Sequence, residues 1–173
     1  FTRNGYEPAL IVAGAGALAV LTLGLADDIL GLRAMPKLAL RDGIPESLRT
    51  MVVIPAMLES TSRVDNLIDD LEVRFLGNRD DNLHFALLTD FVDASAASKP
   101  EDDEIVRHAR AGIDELNSRY GAARFFLLHR GRRWNAGEGR WMGWERKRGK
   151  LVEFNRLLRG ATDTTFIECH GVL

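Results

Sequence analysis

The residues of this chain best suited to chemistry lie in one stretch near its C-terminal end, from Trp141 to Leu151. There, two tryptophans and two glycines surround a run of arginine and lysine. Arginine and lysine donate charge-assisted hydrogen bonds to phosphate oxygens, and Gly149 allows a backbone to approach closely, or to turn where a side chain would clash. The stretch predicts an anionic partner, or a flat one such as a sugar or a base. The alternative is a solvated basic helix start whose tryptophans pack in the core.

Polar side chains also follow three apolar runs that predict buried strands. The acidic ones are Glu59, Asp90 and Asp93, and the basic ones are Arg130, Arg132 and Arg133. In open α/β sheets, ligands bind beyond the carboxyl ends of the strands. A carboxylate there can accept a hydrogen bond from a base N–H or a ribose hydroxyl, and nearby arginines offset diphosphate charge. The layout predicts a nucleotide site, although the chain has no Gly-x-Gly-x-x-Gly or Walker-type loop. The alternative for Asp90 is a turn cap after a strand.

The sequence predicts strands that alternate with helices, and these elements would hold the polar residues in place. Strands are expected at Met51–Pro55, Leu83–Thr89, Arg124–His129 and, starting a fourth, Thr165–Glu168. Apolar residues at helical spacing predict helices at Thr61–Asn78, capped by Ser60 or Thr61, at Asp102–Tyr120 and at Arg148–Arg159. A connector precedes them at Asp27–Thr50, with a short helical turn within Ile44–Arg49. The alternation predicts βαβ units, and hence an α/β fold with a mostly parallel sheet and flanking helices.

Composition narrows the functional classes. The 173 residues are 46% hydrophobic and 28% charged, which suits one domain with a core and an appendage. The net charge of -2 argues against a nucleic-acid partner, because a general nucleic-acid binder normally carries a basic domain. Cys169 is the only cysteine, and His84, His108, His129 and His170 show no metal-ligand spacing. Neither a disulfide framework nor a zinc site is predicted.

The N-terminal part differs from the rest because Pro8–Ala26 carries no charged residue. A helix needs about 20 apolar residues to cross a bilayer, so the run predicts a transmembrane helix within residues 1–28. A buried soluble helix is the alternative, and a signal peptide fits less well because the preceding residues make a poor basic region. Basic residues at Arg33, Lys37 and Arg41 favour a cytoplasmic location for the part of the chain after this run. The chain begins at Phe1, so we expect a piece of a longer protein.

Several segments from Asp27 onward carry a collinear resemblance to a known family. They are Asp42–Pro45 with Arg49–Pro55, Asp70–Asn78, Asn82–Phe91, Arg124–Arg130 with Arg133–Asn135, and Trp141–Leu151 with Asn155. These segments resemble the cyclic β-1,2-glucan synthases, which are large glycosyltransferases of the bacterial inner membrane. The resemblance implies that the apolar run is a membrane helix ahead of a cytoplasmic synthase domain. It also implies a GT-A-like, Rossmann-like fold, similar to that of processive inverting glycosyltransferases.

The resemblance implies a set of donor-binding residues. Pro55 and Glu59 match the first and last positions of a Pro-x-Tyr-Asn-Glu motif, whereas Met57 and Leu58 depart from it. By the same resemblance, two acidic residues contact uridine and the basic segment serves the diphosphate. The acidic residues are Asp90 and Asp93, and the basic segment comprises Lys147, Arg148, Gly149 and Lys150.

The resemblance also sets expectations for the whole protein. The parent would transfer glucose from UDP-glucose to a growing β-1,2-glucan chain, with a divalent metal (Mg or Mn) whose ligands lie outside this chain. Residues 1–28 would be the membrane helix, 29–49 a connector and 50–173 the first half of the nucleotide-sugar-binding domain. No catalytic residue is assigned here, so the isolated chain is expected to be inactive without the rest of the parent polypeptide. The alternatives are another membrane-bound processive β-glycan synthase, or a non-catalytic membrane-anchored nucleotide-binding module.

Overall fold

The computed structural model describes residues 10–13, 43–121 and 123–171, with the backbone alone for 10–13. The strands are β1 (Leu10–Ala13), β2 (Thr50–Leu58), β3 (Leu83–Phe91), β4 (Phe125–Arg130), β5 (Arg133–Asn135), β6 (Arg140–Met142) and β7 (Phe166–His170). The helices are α1 (Thr61–Leu76), α2 (Asp102–Tyr120) and α3 (Arg146–Leu158), and a 3₁₀ turn spans Glu46–Leu48. The four predicted strands, the three helices and the short turn are confirmed, with boundaries that differ by three residues at most.

The main sheet has the order β1-β2-β3-β4-β7, which is also the order of these strands along the chain. β2, β3 and β4 are parallel, as expected for two successive βαβ units. β1 pairs antiparallel with β2, and β7 pairs antiparallel with β4. The α/β fold with flanking helices is confirmed, whereas the mostly parallel sheet is wrong at both edges.

The direction of β7 has a local cause in α3. The side-chain carboxylate of Glu153 accepts hydrogen bonds from the amide of Thr165, at 3.1 Å, and from its hydroxyl, at 2.5 Å. The carbonyl oxygen of Thr165 in turn accepts a bond from the amide of Gly131, at 3.2 Å. These contacts hold the start of β7 beside the carboxyl end of β4, where Arg130 faces Phe166. A strand that starts at that end must run antiparallel to β4.

Two apolar layers cover the central strands. On one face, α1 and α2 pack with residues of β2, β3 and β4. On the other face, Phe154 of α3 packs against the alternate residues of the same strands. Strand side chains alternate between faces, so strands buried on both sides contain continuous apolar runs, here Phe85–Leu88 of β3 and Phe125–Leu128 of β4. Ser60 caps α1 by accepting a bond from the amide of Arg63, at 3.2 Å.

β2 continues past Pro55, where sequence alone placed its end. Proline lacks an N–H group and is tolerated in a strand only where no ladder bond is required. β1 pairs with Thr50–Val53 only, so Pro55 lies where β2 has β3 as its one neighbour within the described residues. β2 therefore extends to Leu58, and Glu59 follows it directly.

The predicted transmembrane helix lies mostly outside the described residues. Four of its residues are described, and these form β1 on the edge of β2, so the helix prediction is wrong for Leu10–Ala13. Four consecutive backbone pairings with β2 account for the extended conformation there. Within the described ranges, no helix combines the length and apolarity that a membrane crossing requires.

Candidate functional site

Asp90 lies near the carboxyl end of β3 and is buried, not open to solvent. Its carboxylate accepts two hydrogen bonds from Arg130 at the end of β4, from Nε at 2.7 Å and from Nη2 at 3.0 Å. The two residues face each other in the parallel register of these strands. A two-point bond of this kind fixes the orientation of both side chains. Asp90, the residue predicted to contact a nucleotide, is thus bound by a buried arginine. Its carboxylate does not cap a turn, which was the alternative for this residue.

Lys150, from the first turns of α3, completes this cluster. Its Nζ lies 3.0 Å from Oδ2 of Asp90 and donates to the carbonyl oxygen of Ala56 in β2, at 2.7 Å. Burial lowers the pKa of Lys150 below its ordinary value of 10.5, although the Asp90 carboxylate opposes the shift. Glu153 lies 3.7 Å from Nη1 of Arg130. The cluster of Asp90, Arg130, Lys150 and Glu153 carries two positive and two negative charges and joins the ends of β2, β3 and β4 to α3.

The segment before α3 is held in an unusual backbone conformation. Glu145 and Arg146 have positive φ, at 45° and 44°, which is uncommon for residues other than glycine. Arg130 supports this turn, because its Nη2 also donates to the carbonyl oxygens of Trp144, at 3.0 Å, and Arg146, at 3.2 Å. A side chain at Gly149 would place Cβ 2.0 Å from the Trp144 carbonyl oxygen. The sequence prediction that Gly149 permits a close backbone approach is borne out by this contact.

The exposed members of the predicted basic segment lie around this turn. Arg148 is 75% exposed and donates from Nε to the Glu145 carboxylate, at 2.6 Å. Lys147 is exposed beside it on the first turn of α3. Asp93, in the loop after β3, accepts a bond from Nη2 of Arg146, at 2.9 Å. Lys147 and Arg148 thus reach solvent, whereas Lys150 of the same predicted set turns inward to Asp90.

A second buried ion pair organises the loop after β3. Arg132 donates to both carboxylate oxygens of Asp102, at 2.5 and 3.0 Å, and to the carbonyl oxygen of Val92, at 2.7 Å. Its guanidinium also lies over the ring of Phe91, 4.5 Å from the centroid. Burial alone would raise the pKa of Asp102, but the Arg132 hydrogen bond and the Lys99 amide outweigh it and lower that pKa. Arg132 therefore fixes the loop that carries Asp93.

The short sheet of β5 and β6 builds an open groove beside the cluster. Trp134 of β5 and Trp141 of β6 are paired in this two-stranded sheet, and their ring centroids lie 6.0 Å apart in edge-to-face geometry. Two backbone hydrogen bonds of 2.9 Å tie Trp141 to Ala94 in the loop after β3. The groove has a volume of about 650 Å³ and runs from this hairpin to Trp144 and Arg146. One residue before Trp144, a Cβ at Gly143 would lie 2.6 Å from the Asp90 carboxyl carbon, so the groove and the cluster are neighbours.

Pro55 and Glu59 lie apart from this groove. Together they line a separate cavity of about 420 Å³ between β2 and α1, with Arg63, Asp70 and Arg74. Pro55 is half-buried and Glu59 exposed. The link between this side and the Asp90 cluster is the carbonyl oxygen of Ala56, which Lys150 contacts. The structure therefore brings Asp90 together with Lys150 directly, and with Pro55 and Glu59 only through β2.

The resemblance implies a divalent metal, and the described residues do not fit one. In the ranges 43–121 and 123–171, no three histidine, cysteine or carboxylate side chains come together as a ligand set. The carboxylates nearest the groove are paired with arginine instead, as Asp93 is with Arg146. No metal-dependent step is derived for this chain.

Three features of the site escaped the sequence analysis. Arg130 and Arg132 were assigned to diphosphate charge, yet each is buried against a carboxylate 40 and 30 residues away in the chain. The β5–β6 hairpin was not predicted, although paired Arg-Trp dipeptides flanking a Gly-rich turn were a usable signal. Tryptophans facing each other across a two-stranded sheet are a known stabilising pair.

Comparison with known proteins decides the relationship. No protein-family profile matches the chain. In an alignment of 130 residues that covers 73% of the chain, it is 48% identical to the cyclic beta-(1,2)-glucan synthase NdvB of Rhizobium meliloti (strain 1021). The chain is related to a segment of the cyclic β-1,2-glucan synthases. It spans 5% of the length of that synthase, so the relationship concerns one small part of a much larger protein. The resemblance carried by the segments from Asp27 onward is thereby confirmed.

Proposed function

We propose that this chain is the first half of a nucleotide-sugar-binding domain in a membrane glycosyltransferase. In this proposal the parent transfers glucose from UDP-glucose to a growing β-1,2-glucan chain that is later cyclised. The relationship to a cyclic β-(1,2)-glucan synthase supports this product over another β-glycan. The proposal also includes a location at the bacterial inner membrane, with the synthase domain in the cytoplasm. A GT-A-like fold is part of the same proposal, since the central strands and helices alternate as βαβ units.

The single observation that carries the proposal is the meeting of four chain segments at Asp90. The carboxyl ends of β3 and β4, the Ala56 carbonyl of β2 and the start of α3 converge there. Ligands of α/β sheets bind beyond the carboxyl ends of the strands. Lys147 and Arg148 lie on the first turn of α3, where positive side chains and the positive end of the helix dipole both attract phosphate. In the proposal the diphosphate of the donor binds at this turn, and the uridine lies toward Asp90 and Asp93.

The buried state of Asp90 defines its role in this proposal. With Arg130 and Lys150 bound to it, the carboxylate is engaged within the protein. We therefore assign Asp90 to fixing the floor of the uridine site, with Asp93 nearer to solvent at the Arg146 guanidinium. Inverting glycosyl transfer also requires a base that deprotonates the acceptor hydroxyl. In the proposal that base, and any divalent metal, belong to the rest of the parent polypeptide, so the isolated chain binds the donor without transferring glucose.

Charge reversal in the parent synthase tests the proposal. Lys147→Glu with Arg148→Glu places like charge against the diphosphate, so UDP affinity should fall at least tenfold and glucan synthesis from UDP-glucose should be lost. Arg156→Glu with Arg159→Glu is the matched control, with the same charge change near the other end of α3. The control variant should retain near-normal UDP affinity by titration calorimetry. Synthesis that survives the reversal at Lys147 and Arg148 would show that this turn is only a solvated face.

A further inference from the structure

The groove beside the β5–β6 hairpin is lined by two tryptophans that the proposed donor site does not use. Trp134 is 54% exposed and Trp144 is 47% exposed, which is unusual for side chains of this size. Both line the same groove of about 650 Å³, within the range of small-molecule sites. Large aromatic surfaces that remain exposed in a concave site mark the binding of another molecule.

The charges of the groove point to a neutral ligand. Its lining includes two arginines, Arg133 and Arg146, and two glutamates, Glu138 and Glu145, whose formal charges cancel. Arg146 is already paired with Glu138, at 3.3 Å, and with Asp93, while Glu145 is paired with Arg148. A diphosphate requires a local excess of positive charge, which this lining does not offer. A neutral ligand with many hydroxyl groups does not need an excess of positive charge in the lining.

The arrangement of the tryptophans suits a sugar chain. The edge-to-face contact with Trp141 holds the Trp134 ring in place, so that little side-chain entropy is lost on binding. A pyranose ring presents apolar C–H faces and a rim of hydroxyl groups. The faces can stack on indole rings while Asn135, Arg133 and Glu138 exchange hydrogen bonds with the rim. Trp134 and Trp144 line the same groove, so each can stack on a sugar unit of one chain.

The position of the groove fits the partner that a polymerising transferase must hold near its donor. The groove ends at Trp144, and its neighbour Gly143 abuts Asp90. We propose that this groove binds the neutral β-glucan chain, with Trp134 and Trp144 as stacking platforms. The inference rests on the proposed function for the choice of a glucan, but its observations are those of the groove alone.

The test uses this chain and three probes: a linear β-1,2-linked gluco-oligosaccharide, a β-1,4-linked one and UDP, each titrated by calorimetry. We expect the β-1,2-glucan to bind and Trp134→Ala to weaken it at least about tenfold, because truncation of a stacking tryptophan removes its largest contact surface. Trp134→Phe should retain most of the affinity because a ring remains. Ile167→Ala, which truncates an exposed apolar residue of β7, is the control and should change nothing.

The UDP titrations separate this inference from the proposed function. If it is correct, Trp134→Ala leaves UDP affinity unchanged, with an unaltered circular dichroism spectrum. If wild type fails to bind either glucan, or if Trp134→Ala binds the β-1,2-glucan as wild type does, the inference is overturned. It is also overturned if Trp134→Ala weakens UDP binding in the same proportion, because the groove would then be part of the nucleotide site. Glucan binding that depends on Trp134 in a chain that does not bind UDP would instead contradict the proposed function alone.

Discussion

Two single residues illustrate how burial, more than sequence position, decides what a charged or titratable group does. Arg130 and Arg133 lie three positions apart, yet one is buried against Asp90 and the other is exposed in the groove. Side chains alternate along a strand, but the end of β4 has no apolar pattern that would reveal which arginine turns inward. The partner of Arg130 lies 40 residues away, so only the parallel register of β3 and β4 brings the pair together. The ion pair could therefore not be predicted from the sequence.

Removing one member of this pair should cost much more than removing an exposed arginine. Arg130→Met leaves the Asp90 carboxylate without its two-point partner and leaves the Trp144 and Arg146 carbonyls without their donor. We expect the free energy of unfolding to fall by about 3–5 kcal/mol, as for other buried pairs that lose one partner. Arg133→Met is the control and should change it by about 0.5 kcal/mol or less. Urea denaturation checks both, and equal losses would show that the buried pair adds nothing beyond an exposed arginine.

The buried ring of His129 should make the free energy of unfolding depend on pH in the acid range. It lies in β4, bonded through Nδ1 to the Thr89 hydroxyl at 2.8 Å, and burial lowers its pKa from 6.5 to about 4. The unfolded chain gains a proton at His129 below about pH 6.5, whereas the folded chain gains it only near pH 4. Stability should therefore be fully present above pH 6.5 and fall as the pH drops toward 4, by roughly 2–3 kcal/mol at pH 4.5.

Chemical denaturation at pH 7.5 and pH 4.5 measures this effect. His129→Gln should lose less stability on acidification than wild type does, by that same amount, because it has no ring to protonate in the unfolded state. Carboxylates such as Asp102, whose pKa is lowered, contribute to acid loss in both proteins and cancel in the comparison. If His129→Gln follows the wild-type curve, the ring is not held neutral in the folded protein.

Among the elements, α3 depends on a glycine more than on its own helical pattern. Gly149 admits the Trp144 carbonyl oxygen, which allows the chain to enter the helix through two residues at positive φ. Gly149→Ala would place Cβ 2.0 Å from that oxygen, and a backbone atom cannot move aside cheaply. We expect a loss of about 1–3 kcal/mol in the free energy of unfolding. Thermal and urea denaturation of the purified chain measure it.

Gly77, at the end of α1, is a suitable control for that substitution. Its φ is -79°, and a Cβ there would meet its nearest neighbour at an ordinary 3.6 Å. Gly77→Ala should therefore be neutral or stabilising by about 0.5 kcal/mol, because it restricts the unfolded chain. If both substitutions have the same small effect, the entry to α3 can rearrange and the turn at Glu145 and Arg146 is not held by Gly149.

For the molecule as a whole, apolar periodicity was sufficient to place most elements. The cores of α1 and α2 and the apolar runs of β3 and β4 are local patterns, so their positions were predicted to within a few residues. The direction of β7 was not local, because it depends on contacts between Glu153 and Thr165. In the site, the close backbone approach at Gly149 and the solvent exposure of Lys147 and Arg148 could be predicted from the residue types. The inward turn of Lys150 was not, since it requires Asp90 and Ala56 to be in place.

The agreement between the order of strands in the sheet and their order in the chain bears on how the protein is made. During synthesis from the N-terminus, each new strand of the main sheet leaves the ribosome after its neighbour has already emerged. Among the strands that the structure describes, no later one has to be inserted between two earlier ones, so no gap between them has to be held open. Each of the two parallel pairings needs only the helix that has just been translated, which keeps the connections short and unthreaded. The nascent chain can thus extend its sheet at one growing edge, and the strand that awaits its next partner is always the most recently synthesised one.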